Sequence, residues 1–304
     1  MSAERAVPGQ PDPSPPGPGL SGQALADLAG FATDIAARAG RLGMGWFRHP
    51  LHVETKADAS PVTEADRAVE SFLREAIATR FPGHAILGEE FGREGADGTG
   101  TAAPLWVIDP IDGTRSFMTG WPLWGVLLAL VAGGRPLLGV VELPALGERL
   151  LGIAGEGTRF TDARGETRPC RTRDTARLAE ARFYTTSPRY FDPADRPLVE
   201  RLVDAAGTAR FGGDCYGYAM LAAGHVDLVV EAQLAPYDYM ALVPVIEGAG
   251  GIVTDWAGAP LGLGSDGRVV AAATPALHAE VLALLAAEAG AGAKAGAGRA
   301  DVEA

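Results

Sequence analysis

The sequence predicts an α/β or α+β protein built in layers. Some windows repeat apolar residues at helical spacing, while others hold short continuous apolar runs bounded by turn residues. After two helical windows the first half is mostly short apolar runs, whereas in the second half runs and helical windows alternate.

Residues 25–46 place Leu28, Phe31, Ile35 and Leu42 on one helical face, which predicts a long amphipathic helix. A second helix is expected from Thr63, where Thr63-Glu64-Ala65-Asp66 resembles an acidic capping box. Val69, Phe72, Leu73 and Ile77 supply its apolar face, and Pro82-Gly83 ends it. Strands are expected at 84–87, 105–108, 124–131 and 136–143, with the Gly-rich polar stretch 92–104 as a mobile surface loop. Further on, strands are expected at 182–186, 208–211, 226–231 and 269–273. Helices are expected at 195–206, 215–224, 238–249 and 276–288. Pro8, Pro11, Pro13, Pro15, Pro16 and Pro18, interleaved with glycine, read as a disordered lead-in over residues 1–20. An N-terminal α+β part over 21–165, a C-terminal α/β part over 166–290 and a flexible tail over 291–304 complete the expected organisation.

With 304 residues, 47% of them hydrophobic, the chain can bury one large core or two joined ones. A formal charge of −12 speaks against nucleic acid as a partner, because phosphate backbones call for a basic face. A small phosphorylated substrate is still compatible, since bound cations invert the local field. Cys170 and Cys215 make no disulfide framework and read as thiols of a reducing cytoplasm. The longest apolar run, over 124–132, is far short of the ~20 residues of a spanning helix, so no membrane partner is expected. No basic region followed by an apolar core marks a secretory signal at the N-terminus.

The chemistry concentrates in Trp106-Val107-Ile108-Asp109-Pro110-Ile111-Asp112-Gly113-Thr114. Here a strand-like apolar run stops at two carboxylates on a turn stiffened by proline. Asp109 therefore emerges at a strand end, where a sheet exposes its working edge. Two acids so close repel unless they share a proton or a cation, and a metal is the simpler answer. Three further acidic clusters lie at element ends: Gly88-Glu89-Glu90, Thr63-Glu64-Ala65-Asp66 and Pro236-Tyr237-Asp238. Singly each has an ordinary reading. Glu89 could be a solvated loop acid, Asp66 a partner of the helix dipole and Asp238 a plain N-cap. Beside the acid turn, that ordinary reading weakens greatly.

The combination resembles the inositol monophosphatase family of metal-dependent phosphomonoesterases. Four motifs carry the resemblance, in the family's order and over nearly the whole folded chain. They are Lys56-Ala57-Asp58-Ala59-Ser60-Pro61-Val62-Thr63-Glu64-Ala65-Asp66, Gly88-Glu89-Glu90, the acid turn through Thr114, and Tyr237-Asp238 followed by Glu247-Gly248-Ala249-Gly250-Gly251. The resemblance implies an α/β fold, the layered α-β-α-β-α sandwich of that family. It also implies two or three Mg²⁺ ions, a small phosphate ester as substrate, and a homodimer. By resemblance the metal ligands are Glu89, Asp109, the Ile111 carbonyl, Asp112 and Asp238, hard oxygen donors of the kind Mg²⁺ prefers. Asp109 bridges two ions; Glu89 and Ile111 serve one, Asp112 and Asp238 the other. Asp66 acts through water or by hydrogen-bonding the Thr114 hydroxyl. Thr114, with Glu89 or Asp66, orients and deprotonates the attacking water, as two-metal phosphoryl transfer requires. The N–H groups of Gly113 and Thr114 cradle the phosphate if a helix begins there.

Specificity is expected from Arg210-Phe211-Gly212-Gly213-Asp214-Cys215-Tyr216-Gly217-Tyr218 and from Val229-Val230-Glu231, where Glu231 precedes Asp238 by seven residues. Ile111, Asp112, Gly113, Thr114, Arg210, Asp214, Glu231 and Asp238 form the expected substrate set. An acid at 214, where inositol-selective members carry a small neutral residue, suits a cationic substrate. These segments resemble the histidinol-phosphate phosphatase branch, which implies hydrolysis of L-histidinol phosphate in histidine biosynthesis. Inositol 1-phosphate is the alternative substrate, and a non-catalytic metal- and phosphate-binding homologue the alternative class. Asp214 could instead simply cap the following helix. The five histidines are scattered outside the motifs, and Cys215 lacks the arginine-rich loop of a cysteine phosphatase. A phosphohistidine, zinc or thiolate mechanism is therefore not expected.

Overall fold

The computed structural model describes residues 22–55, 61–95 and 103–297, with side chains as far as residue 287. The expected lead-in, Lys56 to Ser60 of the first motif, the 96–102 part of the predicted loop and residues 298–304 lie outside the described residues.

The first helix, α1 (Gly22–Met44), buries Leu25, Leu28, Ile35 and a ridge of alanines. A two-stranded antiparallel ribbon, β1 (Val53–Thr55) with β2 (Pro61–Thr63), leads into α2 (Glu64–Arg80). The expected capping box forms. Thr63 Oγ1 accepts the N–H of Ala65, and Asp66 Oδ2 accepts the N–H of Thr63 at 2.8 Å. Both helices pack on an eight-stranded sheet.

That sheet holds β3 (Ala85–Gly88), β4 (Gly92–Glu94) and β5 (Leu105–Asp112), then a short helix α3 (Thr114–Met118). It continues as a meander through β6 (Gly125–Ala132), β7 (Arg135–Leu143), β8 (Glu148–Ile153), β9 (Gly157–Thr161) and β10 (Thr167–Pro169). Its order is β10-β9-β8-β7-β6-β5-β3-β4, and only β3 and β5 run parallel to each other. Strand side chains alternate between two cores. Trp106, Ile108, Val126, Leu128 and Leu130 meet α1 and α2, while Leu105, Val107, Leu127, Ala129 and Val131 point to the opposite layer. Burial on both faces explains why these strands read as continuous apolar runs.

The second sheet is built from β11 (Arg182–Thr185), α4 (Arg196–Ala205), β12 (Thr208–Phe211), α5 (Cys215–Ala222) and β13 (Leu228–Glu231). Two short helices follow, α6 (Pro236–Tyr239) and α7 (Leu242–Gly248), then β14 (Ile252–Thr254), β15 (Val269–Ala272) and α8 (Pro275–Ala297). The order is β12-β11-β13-β15-β14, with β12, β11 and β13 parallel and β15 antiparallel to both neighbours. The α5, α6 and α7 helices fill the space between the sheets. Outside, Leu198, Val199 and Leu202 of α4 and Leu277, Val281 and Leu285 of α8 cover Phe183, Val230 and Val270. The result is the expected α-β-α-β-α order of layers.

Three expectations are corrected. The helix expected over 238–249 is two helices, because Pro244 lacks an N–H for the carbonyl one turn earlier and is accommodated only in the first turn of α7. Residues 92–94 of the expected loop form β4, paired antiparallel with β3. The α8 helix continues to Ala297, into the segment read as tail, in keeping with the high helix propensity of alanine. The strands β8, β9 and β10 were not anticipated from the sequence, although Leu150 and Phe160 carry their apolar face.

Candidate active site

Parallel pairing of β3 and β5 brings two strand ends side by side. The N–H of Glu89 donates to the Ile108 carbonyl at 3.2 Å, so Glu89 leaves β3 level with Asp109. Asp109 is buried, and its Oδ1 accepts the N–H of Ile111 at 3.0 Å. The β5/β6 register slips between Asp109 and Asp112, a bulge that re-aims the chain at the sheet edge. Gly113 then adopts φ 83° and ψ 42°, a left-handed conformation natural to glycine, and α3 begins at Thr114. Thr114 Oγ1 donates to the Ile111 carbonyl at 3.2 Å and lies 3.4 Å from Asp66 Oδ1. Asp66 is itself held through Oδ2 by the N–H and, at 2.5 Å, the hydroxyl of Thr63.

Asp238 arrives from the middle layer, where its Oδ2 accepts the N–H of Ala235 at 2.6 Å. Its helix pair is seated on the first sheet at two glycines opposite each other, Gly139 and Gly152. A Cβ at Gly139 would lie 1.9 Å from the Ala241 carbonyl oxygen, and one at Gly152 would lie 2.5 Å from the Pro244 backbone. Asp109, Asp112 and Asp238 thereby offer oxygens within 4.8 Å of one another. Burial, then repulsion from Glu89 and Asp112, holds the Asp109 carboxyl well above its usual range. Burial followed by the charges of Asp214 and Asp238 does the same to Asp112. Burial pushes Asp238 up to about 7. Three converging oxygen donors, whose repulsion a bound proton or a cation relieves, fit a hard divalent ion.

Beside these acids a cleft opens toward the second sheet, enclosing about 500 Å³ of space continuous with solvent. Its walls include Asp112, Asp214, Glu231 and Asp238 together with Thr186, Tyr190 and Tyr218. Glu231 accepts the N–H of Thr186 at 2.8 Å, the Thr186 hydroxyl, and the Tyr218 hydroxyl at 3.3 Å. Burial nonetheless raises it to about 7. Asp214 sits at φ 46° and ψ −135°, a strained backbone for a residue with a side chain. Its carboxylate accepts the Ser116 hydroxyl at 2.6 Å and makes no cap on α5, so the helix-capping reading does not hold. Arg210 lies on the edge strand β12 and does not line the cleft.

The family model for inositol monophosphatases matches residues 24–289. The chain belongs to the inositol monophosphatase family. A chloroplastic bifunctional phosphatase of Arabidopsis thaliana is 42% identical over 243 residues, covering 79% of this chain and 67% of that protein. The histidinol-phosphatase of Chlorobaculum parvum is 38% identical, over 79% of this chain and 90% of its own length. Among solved structures, an inositol monophosphatase from Zymomonas mobilis superposes with a TM-score of 0.76 at 39% identity, covering 86% of this chain and 98% of that one.

As a member of the inositol monophosphatase family the protein is a metal-dependent phosphatase. No histidine lines the cleft among the described residues. Both cysteines are free and buried, and burial followed by the Asp112 charge pushes the Cys215 thiol well up, away from a nucleophilic thiolate. Tyr218, at the end of the expected specificity stretch, does line the cleft, whereas Ser116, Thr186 and Tyr190 were missed by sequence reasoning. Only the paired glycines before Asp214 hinted at the sharp turn that brings α5 to the cleft. No helix among the described residues is long and apolar enough to cross a membrane.

Proposed function

We propose that the protein hydrolyses L-histidinol phosphate to L-histidinol and phosphate, with Mg²⁺, in histidine biosynthesis in the cytoplasm. The observation that carries this reading is one cleft holding two kinds of acid. Asp112 and Asp238 belong to the acid cluster that offers metal ligands, while Asp214 and Glu231 line the same cleft, Glu231 with the Tyr218 hydroxyl on its carboxylate. The first group suits a phosphate bound through cations. The second suits the amine and imidazole of a cationic alcohol. The histidinol-phosphatase relative supports the same choice.

In this reading Glu89, Asp109, the Ile111 carbonyl, Asp112 and Asp238 would hold the ions. Bound Mg²⁺, two or three ions, would supply acidification of a water and neutralise charge on the leaving oxygen. Thr114 orients the attacking water and passes its proton toward Asp66 or Glu89; the Thr114–Asp66 contact supports this role. The N–H groups of Gly113 and Thr114 face the phosphate at the start of α3. Asp214 and Glu231, both in the cleft wall, orient the cationic part of the substrate.

Inositol 1-phosphate is the second reading, favoured by the inositol monophosphatase from Zymomonas mobilis. A phosphate-release panel of histidinol phosphate, inositol 1-phosphate, fructose 1,6-bisphosphate and 3′-phosphoadenosine phosphate separates the two. Highest kcat/KM on histidinol phosphate is expected, and preference for inositol 1-phosphate would overturn the first reading. The homodimer belongs to the same proposal. Met118, Trp121 and Phe211 are exposed apolar side chains that a second copy could cover, and sedimentation velocity reads the outcome.

A further inference from the structure

Helix α2 carries two acids one turn apart, Asp66 and Glu70. Asp66 approaches Thr114, as described above. Glu70 is fully buried and reaches the turn that follows β3. Its Oε2 accepts the N–H of Glu90 at 2.7 Å, and its Oε1 accepts the N–H of Phe91 at 3.2 Å and the Nε–H of Arg74 at 2.7 Å. Arg74 in turn donates to the Gly92 carbonyl and, at 3.2 Å, to Glu94 on β4. A Cβ on Gly88 would lie 2.0 Å from Glu70 Oε1, so this glycine is the opening through which the carboxylate enters the turn.

Glu89 is the residue between Gly88 and Glu90, and Glu70 touches both neighbours, packing against Gly88 and accepting the N–H of Glu90. A buried ion pair is weak evidence of stabilisation, since desolvating two charges offsets most of their attraction. The specific product of this pair is the backbone course of residues 88–91. We propose that Glu70 is a positioning residue for Glu89: it holds the turn so that the Glu89 carboxylate stands level with Asp109. This rests on the reading of Glu89 as a metal ligand given above. Ligand orientation by buried partners of this kind is worth roughly 10- to 100-fold in metal affinity.

Glu70→Gln keeps the shape but replaces one oxygen by an amide NH₂, which faces an N–H donor whichever way the amide is turned. Gly88→Ala displaces the same carboxylate from the other side. In the metal-free protein, the amides of Glu90 and Phe91 should lose hydrogen-exchange protection in both variants, while β5 and the rest of α2 keep theirs. Calorimetric titration with Mg²⁺ or Mn²⁺ should show affinity lowered about tenfold or more. The Mg²⁺ concentration for half-maximal activity should rise in step, with KM for the ester unchanged at saturating metal. Unaltered metal affinity and turn protection would overturn the proposal, as would protection lost evenly across α2 and β5, the mark of a merely structural residue. If the wild-type chain hydrolysed no ester of the panel, the proposed function would fail. Exchange and calorimetry would still decide the role of Glu70.

Discussion

The backbone N–H of Cys215 donates to Asp112 Oδ2 across 2.6 Å, joining residues 103 positions apart in the chain. The bond ties the first turn of α5 to the acid turn of the other sheet. Because the donor is main chain, Asp112→Asn can keep this tether through its remaining oxygen while losing the charge. The variant should therefore fold, with an unchanged circular dichroism spectrum. Its kcat/KM should fall by on the order of a hundredfold or more, the scale for removing one transition-state stabilising group. Near-normal turnover would sink the two-metal assignment.

Asp214 is predicted to separate the substrates. Asp214→Ala should weaken hydrolysis of histidinol phosphate more than that of inositol 1-phosphate; equal losses would remove its role in recognition. Ser116 donates to this carboxylate, so Ser116→Ala should shift the two rates in the same sense as Asp214→Ala and by less. The backbone at 214 gives an independent check. Glycine tolerates the local φ of 46°, so Asp214→Gly should be more stable than Asp214→Ala by about 1 kcal/mol in urea unfolding.

Protonation and metal compete for the same carboxylates. Asp238 and Glu231 are raised to about 7, chiefly by burial. A carboxyl whose folded pKa lies above its unfolded one holds extra protons in the native state. Stability then falls as pH rises from about 4 to about 7. The metal-free protein should accordingly melt lower at about pH 8 than at about pH 5.5, and Mg²⁺ should raise the midpoint most at the higher pH. His84 and His278 act in the opposite sense. Burial lowers both, so their contribution is lost as pH falls through about 6.5. The difference between wild type and Asp238→Asn isolates the acid term: the variant's calorimetric midpoint should vary less with pH, and parallel curves would refute it.

The seat of α7 is predicted to tolerate no added methyl. Gly152→Ala places a Cβ against the Pro244 backbone, which cannot yield without moving the helix pair that carries Asp238. A loss of about 1–3 kcal/mol in urea unfolding is expected, the usual scale of overpacking. Weaker Mg²⁺ binding should accompany it. Wild-type stability would show that α7 is free to lift off the sheet.

The elements with the plainest periodicity were legible in the sequence. The capping box at Thr63, the apolar runs of β5, β6 and β7, and the strand-helix alternation of the second half all appear close to where expected. The meander beyond residue 148 was not, because Glu148–Ile153 mixes apolar and charged residues over one half-covered stretch. In the site, the acids announced themselves by position at element ends. What stayed hidden were the partners of Asp214 and Glu231. Nothing in the local sequence tells that Ser116 meets Asp214 or that Thr186 meets Glu231, since these contacts depend on how the two sheets stack. Glu70 was hidden for a related reason, reading as one more polar position on α2.

The cleft takes Asp112 from the edge of one sheet, and Thr186 and Glu231 from the other. On the proposed reading, reactivity and choice of substrate are thus encoded in separate stretches of the chain. Mutations around 185–191 and 231 can redraw the admitted molecule while the acid turn, braced by α2 and α6, stays as it is.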